Sequence, residues 1–278
     1  MDFKTKIGLG TVQFGTNYGI SNVNGQTIGN EVEDILDSAL RLGVKVIDTA
    51  AAYGEAEKVI GHFDIGRFKV VSKFMPPNEY TSINSLLQQS LDKLKIDSLY
   101  GFLAHRPMQL LHHPEQWNDL LKLKNEGKIK KIGFSLNAPE EIDLLMNKGF
   151  VPDLIQVPFN YFDNRFENSM LALKERGCEI HTRSTFLQGL FFLNPDDLKP
   201  FFKEVKPLIK NLQENYEYLA SSLLAYSLEK EFIDKVIIGV ETNNQLIQNI
   251  NTLEKAKSLP KLNRVIEEKI LNPSLWEK

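Results

Sequence analysis

The feature that most narrows what this chain can become is an alternation running along its whole length. Short, almost continuously apolar, β-rich runs take turns with segments of helical periodicity. The predicted strands are 6–12, 44–50, 68–73, 99–105, 130–135, 153–157, 179–184 and 235–239. Runs such as Lys45-Val46-Ile47-Asp48 and Lys235-Val236-Ile237-Ile238-Gly239 lack a polar face, the pattern of strands covered on both sides. Between them, Val32, Ile35, Leu36, Ala39 and Leu40 follow the i, i+3, i+4, i+7, i+8 spacing of an amphipathic helix, and Ile83, Leu86, Leu87, Ser90, Leu91 and Leu94 nearly repeat it. Gly43, Gly127, Gly149 and Gly177 fall where helix C-terminal caps are expected, because glycine tolerates the left-handed conformation. Eight strands alternating with helices imply a parallel sheet, closed or doubly wound. The count of eight and the length of 278 residues favour closure into a (β/α)8 barrel, expected to form a single domain over 1–278, since no linker or low-complexity tract interrupts it.

Composition narrows the function classes. With a net charge of −3, the chain is not expected to have nucleic acid or an anionic membrane as its main partner. Specific phosphate binding would have to come from a few placed groups. No signal-peptide core is evident near the N-terminus, and no apolar run approaches the roughly 20 residues of a membrane span. The one cysteine, Cys178, cannot form an intramolecular disulfide and is expected to be a packed thiol. A cytoplasmic monomer or small homo-oligomer is the expectation.

Chemistry in such a barrel sits at the C-terminal ends of the strands. No Gly-x-Gly-x-x-Gly follows an early strand, so a Rossmann-type dinucleotide site has little support; in Gly8-Leu9-Gly10-Thr11-Val12-Gln13-Phe14-Gly15 the third glycine is misplaced. The polar residues at strand ends are more informative. Asp48 ends the second strand, Tyr53 follows in the loop, Lys73 ends the third strand and His105 the fourth. Each alone is weak evidence: a strand-end lysine is usually solvated and a loop tyrosine usually packs, although a buried carboxylate such as Asp48 needs a partner. Together, at one barrel mouth, they form a working set. Lys73 pairs with Asp48 and its charge favours ionisation of Tyr53. Tyr53 donates a proton to a carbonyl oxygen, and His105 hydrogen-bonds and orients that oxygen.

Asp48-Thr49-Ala50-x-x-Tyr53-Gly54, with the strand-end Lys73 and His105, resembles the catalytic tetrad of the aldo-keto reductases. The likeness extends from Gly8-Leu9-Gly10-Thr11 to the Asn249 region. It implies an NAD(P)-dependent oxidoreductase, without metal or flavin, that passes hydride between the nicotinamide and a small-molecule aldehyde or ketone. Tyr53 would be the general acid in reduction and the base in oxidation, Lys73 and Asp48 would tune it, and His105 would position the carbonyl.

The same resemblance implies a cofactor site. Thr11 and Asp48 flank it. Ser135 and Gln156 match carboxamide contacts, with Leu136 where the family usually has Asn and Asn137 placed to compensate. Independently of the likeness, a glutamine inside so apolar a strand as Gln156's needs a hydrogen-bond partner. Arg183 would stack on the nicotinamide, a surface salt bridge being its plain alternative. Ser184, Thr185, Phe186, Gln188 and Gly189 would wrap the pyrophosphate, with Thr185 replacing the usual Pro. Gly239, Glu241, Gln245, Gln248 and Asn249 match the adenosine end, where a helix N-terminus suits phosphate. Glu241 stands where a base often faces the 2′-phosphate of NADP, so NADP and NAD both remain open. The expected substrate mouth is Phe14, Asn17, Tyr18, Phe74, Arg106, Phe159, Asn160 and Tyr161, a mixture of aromatics and amides suited to a sugar-derived carbonyl. The opening segment is similar to bacterial members linked to surface-polysaccharide and sugar metabolism. Two other classes stay open. One is a cofactor-binding regulatory protein with slow or no turnover. The other is a Schiff-base aldolase acting through Lys73, which would leave Gln156 and the 183–189 match unexplained.

Overall fold

The computed structural model describes residues 3–276, so the ends of the expected domain, residues 1–2 and 277–278, lie outside the described residues. Eight parallel strands form a closed barrel: β1 (Ile7–Gly10), β2 (Val46–Asp48), β3 (Lys69–Phe74), β4 (Leu99–Ala104), β5 (Ile129–Ser135), β6 (Leu154–Pro158), β7 (Glu179–Arg183) and β8 (Lys235–Gly239). Each strand pairs with the next, and β8 pairs with β1 through Gly10 opposite Gly239. The predicted 44–50 strand is shorter as a ladder, although Thr49 and Ala51 still donate to the Val71 and Lys73 carbonyls. The predicted 6–12 strand stops early because Val12 begins a helical turn.

The helices are α1 (Val12–Gly15), α2 (Asn30–Arg41), α3 (Ala56–Ile60), α4 (Ile83–Leu94), α5 (Glu115–Asn125), α6 (Glu140–Asn147), α7 (Glu167–Glu175), α8 (Lys206–Asn215), α9 (Leu219–Leu228), α10 (Asn243–Asn251) and α11 (Glu268–Leu271). α2 forms where its periodicity places it: Val32, Ile35, Leu36 and Ala39 are buried against the barrel. α4 begins with a reciprocal cap between Ser82 and Ser85 and buries Ile83, Leu87, Leu91 and Leu94. The four glycines expected as caps, Gly43, Gly127, Gly149 and Gly177, all have positive φ. No helix among the described residues is long and apolar enough to cross a membrane.

The two-residue period of the strands sorts the core. Ile47, Val70, Phe102, Phe134, Ile155, Val236 and Ile238 face outward into the main core beneath the helices. Val46, Val71, Leu103, Leu154 and Ile237 face inward and plug the barrel. Two residues further along those five strands come Asp48, Lys73, His105, Gln156 and Gly239. One apolar layer inside the barrel is thus the floor on which the next, polar layer stands.

A further apolar cluster lies beside the barrel. It joins Leu187, Leu190, Phe191, Phe202, Ile209, Leu212 and Leu219 to Ile266, Ile270 and Leu271 near the C-terminus. Cys178 is buried, and desolvation pushes its thiol up to about 12, which keeps it protonated.

Candidate active site

A cavity of about 1000 Å³ opens at the C-terminal ends of the strands. Asp48, Tyr53, His105 and Gln156 line it at one end, and Glu241, Gln245, Gln248 and Asn249 line it at the other. Lys73 lies beneath Tyr53, fully buried. Its Nζ donates to Asp48 Oδ2 at 2.6 Å and to the Thr49 carbonyl at 3.1 Å, and stands 3.4 Å from the Tyr53 hydroxyl. Burial works against the ammonium, but the Asp48 carboxylate and then Tyr53 outweigh it, so the pKa of Lys73 is held above the ordinary lysine value. The other oxygen of Asp48 accepts from Gln156 Nε2 at 2.7 Å. One buried carboxylate therefore ties β3 to β6 across the barrel.

Two glycines fix Tyr53. A Cβ on Gly15 would sit 1.8 Å from the Tyr53 carbonyl oxygen, and Gly54, with a φ of +56°, would bring a Cβ to 2.5 Å from the Gly15 carbonyl. Only without side chains can α1 and the β2–α3 loop pack this closely, and that contact aims the phenol over Lys73. The His105 ring meets the Tyr53 ring edge-on at 5.9 Å. Desolvation first, then the charges of Lys73, Arg183 and Arg106, push the His105 pKa down to about 3. The imidazole is neutral at physiological pH, and its buried Nδ1 has no hydrogen-bond partner.

Three more buried polar atoms among the cavity-lining residues lack partners: Gln13 Oε1, Gln156 Oε1 and Thr185 Oγ1. Buried polar atoms without partners are costly in a folded protein, and their convergence on one cavity fits a polar ligand. A nicotinamide dinucleotide has that character. Arg183 makes no ion pair with any described residue; it donates to the Leu136 carbonyl at 3.0 Å and to Asn137 Oδ1 at 2.7 Å, bridging β7 to the end of β5. Ser184, Leu187, Gln188 and Gly189 all have positive φ. The fold holds this loop in place: Asn160 Nδ2 donates to the Ser184 carbonyl, and the Ile20 amide donates to the Gln188 carbonyl.

Most of the sequence-predicted site residues share this cavity. Thr11, Asp48, Gln156, Arg183, Ser184, Thr185, Phe186, Gln188, Gly189, Gly239, Glu241, Gln245, Gln248 and Asn249 line it with Tyr53, His105 and Tyr18. Others do not. Phe14 is fully buried, because α1 turns its ring into the main core. Phe159 is also fully buried, stacked on Tyr226 at 5.7 Å and edge-on to Phe232. Neither can form a substrate wall. Phe74 is likewise core, Asn160 is a loop brace, and Tyr161 donates to the Pro260 carbonyl in the side cluster. Arg106 is exposed outside the cavity lining, and Ser135 is buried at the end of β5 in register with Gln156 without lining the cavity.

The sequence reading missed Gln13. It is 9 % exposed, and a Cβ on Gly239 would lie 2.6 Å from its Oε1. A polar residue one turn past a strand end, in so glycine-rich a segment, was the available signal. It also missed Asn272 and Ser274, which the C-terminal segment brings to the cavity edge.

A family model described as the aldo/keto reductase family matches residues 6–267. An uncharacterised oxidoreductase, YqkF of Bacillus subtilis, is 25 % identical over 275 residues, covering 88 % of this chain and 86 % of that protein. An aldo-keto reductase of Mycobacterium sp. (strain JLS) is 29 % identical over 244 residues, covering 84 % and 88 %. Among solved structures, the holo form of aldo-keto reductase AKR11C1 from Bacillus halodurans superposes with a TM-score of 0.71 at 21 % identity, covering 92 % of this chain and 88 % of that one. An aldo/keto reductase from Klebsiella pneumoniae in complex with NADP and acetate gives 0.65 at 21 % identity, covering 91 % and 87 %. The barrel is common to these solved structures. The chain belongs to the aldo/keto reductase family.

Proposed function

We propose that the protein reduces an aldehyde or ketone with NADH, and oxidises the corresponding alcohol in reverse, at the Tyr53–Lys73–Asp48–His105 centre. The observation that carries this reading is the phenol of Tyr53 standing 3.4 Å from a buried, charged Lys73 at the wall of a cavity of about 1000 Å³. When bound, the dinucleotide supplies the hydride. Gln156, Arg183, Thr185 and Gln13 would hold it, with the 184–189 loop around its diphosphate.

The chain's own residues handle the proton. Tyr53 Oη donates it to the carbonyl oxygen as that oxygen gains negative charge. The Lys73 ammonium stabilises the phenolate left behind, and Asp48 keeps the ammonium in place. His105, neutral because its pKa lies near 3, hydrogen-bonds the same oxygen and does not compete as the proton source. Tyr18, beside Tyr53 and Arg183, forms the substrate side of the mouth.

NADH is favoured over NADPH by charge. Arg183 is the sole lysine or arginine among the described lining residues, and its guanidinium already donates to the Leu136 carbonyl and Asn137 Oδ1. The adenosine end carries Glu241 and no cation. A 2′-phosphate there would meet like charge, whereas a 2′-hydroxyl can donate to the carboxylate. The test is a panel of aldehydes, ketones and aldoses followed by absorbance with each cofactor. Turnover with NADH well above NADPH supports the proposal. Tight cofactor binding with no turnover of any carbonyl would favour a regulatory role instead.

A further inference from the structure

The segment that carries Tyr53 is fastened to β3 on both sides of the phenol. Ahead of it, the Ala51 amide donates to the Lys73 carbonyl at 3.0 Å. Behind it, the Tyr53 carbonyl accepts from the amide of Ala56, the first residue of α3, at 3.1 Å, and the next residue is Glu57. Glu57 is 1 % exposed, and its Oε1 accepts from the Ser72 hydroxyl at 2.6 Å. Ser72 precedes Lys73 on β3, so the two fastenings land on neighbouring residues of one strand. The first is a backbone bond that any residue but proline makes at position 51. The second depends on one side chain. Keeping a carboxylate there is costly: its Oε2 is buried without a hydrogen-bond partner, and its ion-pair partner among the described residues, the partly exposed Lys93, holds its Nζ 4.0 Å away. A half-satisfied buried acid is a poor way to stabilise a fold, because an apolar side chain of similar size packs at lower cost.

We infer that Glu57 is a positioning residue for Tyr53: the hydrogen bond it accepts from Ser72 fixes the start of α3 on β3 and so sets the contact between the Tyr53 phenol and the Lys73 ammonium. Glu57 lies outside the cavity lining and acts on the reaction only through Tyr53. That contact is 3.4 Å, at the long end of a hydrogen bond, so a small outward shift of α3 breaks it. The consequence for turnover rests on the carbonyl-reduction reading above; the consequence for the geometry does not.

The test uses the full chain with NADH and 4-nitrobenzaldehyde, and compares Glu57→Ala, Glu57→Gln and Ser72→Ala with the unchanged protein. Glu57→Ala removes the acceptor. Its kcat should fall about tenfold to a hundredfold, the effect of displacing a reacting group by about 1 Å, with KM within about twofold. Glu57→Gln keeps an oxygen for the Ser72 hydroxyl and should bring kcat back to within about threefold of the unchanged protein. Ser72→Ala removes the donor and should match Glu57→Ala; it carries the test if Glu57→Ala does not fold. Its crystal structure should show the Tyr53 Oη–Lys73 Nζ separation longer by about 1 Å than in the unchanged protein. A lower melting temperature with kcat unchanged in Glu57→Ala or Ser72→Ala, or no recovery of kcat in Glu57→Gln, overturns the role. If the unchanged protein reduces neither this aldehyde nor any carbonyl of the panel above, the functional reading fails on its own. The crystallographic separation then decides alone: a longer contact in Ser72→Ala upholds the positioning role, and an unmoved one overturns it.

Discussion

Lys73 shows how the site is held at the scale of single residues. A buried ammonium is tolerated only because Asp48 lies 2.6 Å away and is itself held by Gln156. Lys73→Met should leave Asp48 charged, buried and half-paired. The expected cost is about 3–5 kcal/mol by urea unfolding, together with loss of turnover. His105 works in the opposite sense. It is neutral in the folded chain, with a pKa of about 3, but protonates near its ordinary value of 6.5 once unfolded. Between those values the unfolded chain binds more protons, so stability falls as pH drops through the window. His105→Gln should therefore flatten the pH dependence of urea unfolding from about pH 6.5 downward. By the same token, kcat/KM of the unchanged protein should show no imidazole limb between pH 5 and 8.

Among the elements, the 184–189 loop is the most specialised. Gly189 has a φ of +88°, and a Cβ there would lie 1.8 Å from Ser21 Oγ. Gly189→Ala should push the segment carrying Ser21 away and weaken NADH binding about tenfold or more, measured by fluorescence titration, while the barrel's melting changes little. Strands and the longer helices were legible in sequence because burial on one or two faces imposes a period, and the capping glycines marked helix ends. The loop's left-handed backbone was not legible at Ser184, Leu187 and Gln188, because those residue types do not advertise it; tertiary bonds from Asn160 and Ile20 impose it. Phe14 and Phe159 were misread for a related reason. Both lie at the mouth in sequence, but one helical turn and one stacking partner rotate them into the core.

At the scale of the whole molecule, eight apolar runs were enough to give the closed barrel, and the positions at their ends were enough to bring Asp48, Tyr53, Lys73 and His105 together. The apolar cluster beside the barrel was not foreseen, since it joins the 187–219 segment to a C-terminal segment with no shared period. A ligand that binds only the folded chain should raise its stability by about 2.7 kcal/mol at 100 times its dissociation constant. NADH should produce that upward shift in Tm at concentrations where NADPH produces much less. The most direct measurement of the central claim is a single turnover with 4-deuterated NADH and a reducible carbonyl, comparing the unchanged protein with Tyr53→Phe at equal cofactor occupancy. The account predicts deuterium at the carbonyl carbon with the unchanged protein, and a rate at least about a hundredfold lower for Tyr53→Phe, with NADH binding within about twofold. Equal rates for the two proteins, or no deuterium transfer by either, would contradict it.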